Sequence, residues 1–156
     1  MRRHVYYYTH VQAPYEELAA RLGEDPIRWL PDPVEVDGPG WRIELVADGV
    51  VPQAVASRRA HVEVGPATHP GPRRLLRAVT WRADSAEALA PVMDADLEIA
   101  ALPGHGCQLS FMGTYRPPMS VIGQAGDRLL GHRVAEACVR RFVLDIGEQL
   151  EARLRM

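Results

Sequence analysis

The sequence predicts an α+β domain in which one long C-terminal helix covers a face of an antiparallel sheet. From Trp41 to about Tyr115, apolar residues recur at every second position, which is the period of half-buried strands. After Pro117 and Pro118 the apolar period becomes helical and stays so almost to the C-terminus. Strands that are followed by a single long helix, rather than alternating with helices, indicate a sheet with a helix on one face.

The first part of the chain predicts one strand and two short helices. Residues Val5 to Val11 (VYYYTHV) are rich in β-branched and aromatic side chains, which favours a strand. Pro14 suits the first position of a helix and is followed by acidic residues, and Gly23 is a natural stop. A second helical turn is predicted from Asp25 to Leu30, before the next prolines break it.

One hairpin has a register that the sequence predicts. The segment from Leu102 to Gly106 is rich in Gly and Pro and separates two alternating runs. Placing Ala101 opposite Cys107 makes every inward residue meet an inward partner, as an antiparallel pair with one buried face requires. The predicted inward pairs are Ile99 with Leu109, Leu97 with Phe111 and Met93 with Tyr115.

The last helix is predicted to run from Asp127 to about Arg153. At 100° per residue, one half of the wheel is apolar, whereas Arg and Glu residues dominate the other half. Asp145 and Gln149 fall at the border of the apolar half. The apolar half consists of Val134, Ala135, Cys138, Val139, Phe142, Val143, Ile146 and Leu150.

Three stretches resemble a known superfamily over nearly the whole chain. They are the strand-to-helix junction Val11–Glu17, the runs Asp96–Ile99 and Leu109–Pro118, and Asp127-Arg128 followed by Arg133–Ala137. Together they are similar to the SRPBCC/START-like (helix-grip) superfamily and to its polyketide cyclase-like bacterial subgroup of unknown function. The resemblance implies one domain over residues 1–156, with a curved antiparallel sheet wrapped around the long helix and a cavity between them. It carries over no catalytic residue and no cofactor, because members of one superfamily differ in function.

Composition limits the classes of partner. A formal net charge of −2 over 156 residues gives no field that attracts nucleic acid, and the apolar runs are too short and charged for membrane insertion. The N-terminus enters a strand pattern without an apolar signal segment, so we predict a cytoplasmic protein. Cys107 and Cys138 are isolated, which favours buried free thiols over a zinc site.

Two arginines fall in inward phases of predicted strands. Arg58 interrupts the phase of Ala60 and Val62, and a hairpin centred on the loop from Gly65 to Pro72 pairs Ala60 with Arg77 and Arg58 with Val79. The two guanidiniums would then be diagonal neighbours on one face. An inward arginine needs a partner, so the pair either binds an anionic ligand group or reaches water or an acid such as Asp145.

Other candidate groups favour structural roles. Tyr6, Tyr7, Tyr8 and His10 make the first strand aromatic on both faces, which suits ordinary packing or, alternatively, a cavity wall and a homodimer surface. Asp94, Asp96 and Glu98 alternate with apolar residues and should face solvent, where acids protect an exposed strand from edge pairing. The six histidines lack the spacing of a metalloprotease or a nucleophile elbow, so no catalytic or metal-binding role is predicted for them.

These observations favour binding, and possible transport, of a small hydrophobic molecule or lipid, without cofactor or metal. The alternatives are a polyketide cyclase/aromatase-like enzyme, with Tyr115, Arg58 and Asp145 as its candidate acids and bases, and an interaction module with a filled core. The predicted ligand-binding residues are Tyr7, Arg58, Leu97, Ile99, Leu109, Phe111, Tyr115, Val134, Cys138 and Phe142.

Overall fold

The computed structural model describes residues 2–49, 57–84, 92–116 and 127–154. Within the alternating region Ala54 and Ala56, which continue the phase of Ala60 and Val62, lie outside the described residues, and so do Pro117 and Pro118. Within these ranges the chain forms a single antiparallel sheet and two α-helices.

The sheet has eight strands, and the predicted α+β class is confirmed. Its order is β1-β8-β7-β6-β4-β3-β2, and β5 pairs with β6 outside this path. The strands β1 and β2 therefore lie at its two edges. The bounds are β1 Arg3–Val11, β2 Val34–Glu35, β3 Trp41–Val46, β4 Ser57–Val64, β5 Thr68–Gly71, β6 Arg74–Ala83, β7 Val92–Ala101 and β8 Cys107–Arg116.

The short helices after β1 are confirmed. Helix α1 spans Tyr15–Leu22, and Gly23 follows it as the C-cap. Pro14 is the N-cap residue rather than the first helical residue, a difference of one position. The second turn is a 3-10 helix, Pro26–Arg28. The Asp25 carboxylate caps its start by accepting a hydrogen bond from the Ile27 N–H at 3.1 Å.

The predicted register of the β7–β8 hairpin is confirmed. Ala101 lies opposite Cys107, and the pairing continues through Leu97 and Phe111 to Met93 and Tyr115. The alternation of apolar and polar side chains predicted this register correctly, because a slip by one residue would place apolar residues of one strand opposite polar residues of the other.

The predicted register of the second hairpin is wrong. Ala60 pairs with Ala83, six residues beyond the predicted partner Arg77, and Arg58 pairs with Leu45 of β3. The Gly65–Pro72 segment is not a loop throughout, since β5 lies within it and pairs with β6. Because β5 pairs with β6, the chain reverses between Gly71 and Arg74 rather than at the middle of the predicted loop. The register of β4 against β6 is therefore shifted, and Arg58 and Arg77 are not diagonal neighbours.

Helix α2 spans Asp127–Leu154 and confirms the predicted long C-terminal helix. It packs against β1, β3, β8 and α1, so it crosses the inner face of the sheet. All eight residues of its predicted apolar half are buried, whereas Arg133, Glu136, Arg140 and Arg141 are exposed. Neither described helix combines the length and the apolar character that crossing a membrane requires.

Arg77 joins three separate segments of the chain. Its side chain is buried, as predicted, and donates from Nε to the Gly65 carbonyl at 2.9 Å. Nη1 donates to the Leu22 carbonyl at 3.0 Å and to the Glu24 carbonyl at 2.7 Å, and the guanidinium lies over the Trp29 ring. Protein carbonyls, rather than a ligand anion, thus satisfy Arg77, and they tie the end of α1 to the sheet.

We expect Arg77→Ala to lower the free energy of unfolding by about 3 kcal/mol, because it leaves buried carbonyls without donors. Arg82→Ala on the same strand is the matched control. Arg82 reaches Glu63 only at 3.9 Å and both side chains are exposed, so its loss should cost less than about 1 kcal/mol. Urea unfolding of both variants makes the measurement, and equal losses would contradict the role given to Arg77.

Candidate functional site

Eight of the ten predicted ligand-binding residues are buried between the sheet and α2. They come from β7, β8 and the apolar half of α2, so the structure brings them together on the inner side of the sheet. Their contact with a ligand stays a prediction. The eight are Leu97, Ile99, Leu109, Phe111, Tyr115, Val134, Cys138 and Phe142.

Three aromatic rings meet in the middle of this interior. Trp81 of β6 stacks on Phe111 with ring centroids 5.3 Å apart, and Phe142 of α2 meets both rings edge-on at 5.2 and 5.7 Å. Edge-to-face and offset pairs of this kind stabilise a core beyond the area they bury. A molecule held beside these predicted wall residues would therefore contact the Trp81 indole.

Tyr7 lies on β1 opposite Phe111 of β8 and packs against the buried set from its edge. Its side chain is half-buried on β1, where it borders a groove of about 350 Å³ that opens to solvent between β1 and α2. Both polar and apolar side chains form this groove. Its other lining residues are Val5, Tyr6, Arg133, Glu136, Ala137 and Arg140.

Arg58 faces the interior at the opposite part of the sheet. It is half-buried and shares the inward phase of Ala60 and Val62, which are both fully buried, as its strand position predicted. Burial raises the pKa of the Cys138 thiol to about 12, and the nearby charge of Arg58 opposes that rise. Arg58 therefore places positive charge close to the apolar half of α2.

The two cysteines are free and buried, which confirms the prediction made for them. The Cys107 thiol donates weakly to the Ala13 carbonyl at 3.5 Å, and burial also raises its pKa. Since the thiolate is the reactive form, neither cysteine is suited to act as a nucleophile at neutral pH.

Tyr115, His132 and Glu136 form a connected row of polar side chains. The Tyr115 hydroxyl is hydrogen-bonded to His132 Nδ1, and the two rings stack with centroids 5.9 Å apart. His132 Nε2 lies 2.6 Å from Glu136 Oε1, one helical turn further along α2. The row leads from the interior, where Tyr115 is 1% exposed, to Glu136, whose side chain is 55% exposed.

Asp145, a candidate from its border position on α2, is part of a surface ion pair. Its two carboxylate oxygens accept from Arg141 Nε at 3.0 Å, and Arg141 Nη1 also reaches Asp48 at 2.5 Å. Partial burial raises the pKa of Asp145, and Arg141 opposes that rise. Asp145 therefore faces a surface cation rather than the row of polar groups around Tyr115.

The outer face of β1 is aromatic, as predicted. Tyr6, Tyr8 and His10 form a ladder with neighbouring ring centroids 5.8 Å apart, and the first two are about half exposed (52% and 49%). A homodimer through this face stays a prediction. Asp94 and Asp96 are exposed as expected, but β7 has a neighbour on each side, so they do not protect a sheet edge.

The similarity of this chain to known proteins lies in its backbone structure. No protein-family model matches the chain, and no curated protein matches its sequence. The backbone is similar to Zhui aromatase/cyclase from Streptomyces sp. R1128, with a TM-score of 0.56, 17% identity, and coverage of 99% of this chain and 97% of that one. It is also similar to truncated norcoclaurine synthase from Thalictrum flavum, with a TM-score of 0.53, 8% identity, and coverage of 100% and 94%.

A third structure, the human StarD13 lipid transfer and protein localization domain, gives a TM-score of 0.52 at 12% identity, covering 94% of this chain and 76% of that one. The chain has the helix-grip fold. The fold class predicted from the sequence is thereby confirmed. At these identities the likeness establishes the fold and leaves the choice of function open.

The sequence did not predict that His132 and Glu136 belong to the row of polar side chains that begins at Tyr115. Their spacing of four residues on a predicted helix was a usable signal, because such residues lie on one face. The bond to Tyr115 had no sequence signal, since it joins the end of β8 to the second turn of α2.

The elevated pKa of Tyr115 predicts a pH dependence of stability. Burial is the main cause that raises it from the ordinary 10.0 to about 12, so the folded state keeps the proton to higher pH than the unfolded chain does. This stabilisation is fully present below pH 10 and is lost as the pH rises toward 12.

We therefore expect the free energy of unfolding to fall with pH above 10, and Tyr115→Phe to weaken that fall. Cys138 contributes a change of the same sign, so the slope should shrink without vanishing. Urea unfolding at a series of alkaline pH values makes the comparison, and identical slopes in the two proteins would show that Tyr115 ionises as easily folded as unfolded.

Proposed function

We propose that this chain binds a small hydrophobic molecule or lipid between the inner face of its sheet and α2, and that it acts as a carrier of that molecule. The observation that supports the proposal most is the convergence of buried apolar side chains from β7, β8 and α2 on one side of a curved sheet. Sites for such molecules are mostly apolar and contain a few polar groups that fix orientation.

Three side chains supply the polar groups in this proposal. Tyr115 brings a buried hydroxyl, Arg58 brings a half-buried positive charge beside Cys138, and Tyr7 borders the groove between β1 and α2. They lie at different parts of the interior. An elongated molecule with an apolar body and one polar end fits this distribution better than a compact polar one.

The similar structures have different functions by name, and each name is compatible with a small organic ligand. One is a lipid transfer domain, one an aromatase/cyclase and one a synthase. A polyketide cyclase/aromatase-like activity is accordingly the alternative, and it requires an acid or base that reaches the substrate. An interaction module with a filled core is the second alternative, for which the exposed Tyr6–Tyr8 face is the relevant surface.

We expect methyl laurate and laurate to bind saturably and to change the tryptophan emission of the protein. Trp81 should report the binding, because its indole contacts Phe111 and Phe142 in the proposed site. Trp81→Phe should remove most of the emission change, while calorimetry still detects binding. Native mass spectrometry of the purified protein provides an independent search for a bound lipid.

A matched pair of substitutions locates the site. Val134→Phe adds volume at a buried position on α2 and should weaken binding of methyl laurate about tenfold, because the larger side chain would occupy part of the proposed site. Met112→Phe adds an aromatic ring on the outer face of the sheet, where Met112 is 60% exposed, and should leave binding unchanged. Absence of saturable binding by the parent protein, together with a concentration-dependent dimer, would favour the interaction module instead.

A further inference from the structure

The row from Tyr115 to Glu136 has the order hydroxyl, imidazole, carboxylate. Tyr115 is the penultimate residue of β8, and His132 and Glu136 lie one turn apart on α2, so both elements must be packed for the row to exist. This order is the one that lets a hydroxyl oxygen exchange protons at neutral pH, because the imidazole takes the proton and the carboxylate stabilises the resulting cation.

The hydrogen-bond network assigns the positions of the protons. An ionised carboxylate only accepts, so His132 Nε2 carries the proton that is shared with Glu136 Oε1. In neutral imidazole the other nitrogen, Nδ1, is then an acceptor, and it receives the Tyr115 O–H. The donor capacity of the Tyr115 hydroxyl is used within the protein, whereas its oxygen retains the capacity to accept a hydrogen bond.

Solvent exposure increases along the row from Tyr115 to Glu136. Tyr115 is 1% exposed, and the side chains of His132 and Glu136 are 28% and 55% exposed. The charged groups near it are Arg3 on β1, opposite Tyr115, and the arginines Arg133 and Arg140, which share the groove with Glu136. A proton that leaves the interior along this row therefore moves toward solvent and away from the apolar core.

Burial keeps the Tyr115 phenol protonated, since its pKa is raised to about 12. Tyr115 alone is thus a poor base. It accepts a proton from a ligand only if its own proton passes to His132 Nδ1 at the same time, which makes the row function as a unit.

We propose that Tyr115, His132 and Glu136 form a proton relay that deprotonates the hydroxyl of a phenolic or enolic ligand held in the interior. The ligand O–H bond breaks as a new O–H bond forms on Tyr115, and the original Tyr115 O–H bond breaks as Nδ1–H forms on His132. The products are a ligand anion beside Tyr115 and an imidazolium next to the Glu136 carboxylate. No oxidant, reductant or metal enters the balance.

The acidity of the ligand follows from the groups in the relay. The final acceptor of the proton is an imidazole, whose ordinary pKa in histidine is about 6.5, so the ligand hydroxyl must be at least as acidic as an ordinary phenol, with a pKa of about 10 or lower. Aliphatic alcohols are much weaker acids and do not meet this condition. The proposal rests on the proposed binding function, and it narrows the ligand to an aromatic or conjugated hydroxyl compound.

The test uses para-nitrophenol, whose ionisation is seen by absorbance, and para-nitroanisole, which has the same shape but no acidic proton. With protein in excess, we expect the apparent pKa of bound para-nitrophenol to be about one unit lower, a tenfold change in acidity, in the parent protein than in His132→Gln. Relative to the parent protein, the apparent pKa of bound para-nitrophenol should be raised by the same amount in Tyr115→Phe and by a smaller amount in Glu136→Gln. His105→Gln, in an exposed loop, should match the parent protein.

The outcomes separate the relay from the binding function. Para-nitroanisole should bind the parent protein and His132→Gln equally, because it does not use the relay. If both compounds bind but the pKa of bound para-nitrophenol is the same in the parent protein, His132→Gln and Tyr115→Phe, the relay is wrong and binding stands. If neither these compounds nor methyl laurate binds, the proposed function fails and the relay fails with it. Where Tyr115→Phe does not fold, His132→Gln decides alone.

Discussion

The structure depends on burying the apolar half of α2 against the inner face of the sheet. Most of the stability of a helix in a protein comes from packing its apolar face, and both the apolar half of the 28-residue α2 and the apolar face of the sheet need such a partner. Each element supplies the surface that the other needs. The three-ring contact of Trp81, Phe111 and Phe142 lies at this junction, so the same packing that holds the fold together also defines the region proposed for the ligand.

Polar side chains in this fold serve either the scaffold or the interior, and the partners of each distinguish the two cases. Arg77 is buried, but three carbonyl groups hold its guanidinium, so its charge joins α1 to the sheet. Asp145 is held by Arg141 on the surface side of α2. The Tyr115 hydroxyl differs, because its partner His132 connects onward to an exposed carboxylate rather than closing a local structural contact.

The proposed functions place different demands on the same interior. A carrier needs apolar walls and reversible access, whereas a proton relay needs a buried hydroxyl with a connected acceptor. The fold places buried apolar side chains between the sheet and α2, and it brings Tyr115 on β8 beside His132 and Glu136 on α2. Proteins of this fold with different activities are named among the similar structures, which fits a scaffold whose chemistry depends on a few interior side chains.

The sequence by itself determined the two α-helices, most of the long strands, the β7–β8 register and the buried half of α2, because these follow from local periodicity and from turns whose length is visible in the chain. It did not determine the pairing of β4 with β6, since the short strand Thr68–Gly71 was hidden in a Gly/Pro-rich stretch that looks like a loop. Only the tertiary structure decided the partners of Arg77 and the bond between Tyr115 and His132. Both depend on segments distant along the chain meeting in space, and no local pattern encodes the distance between them.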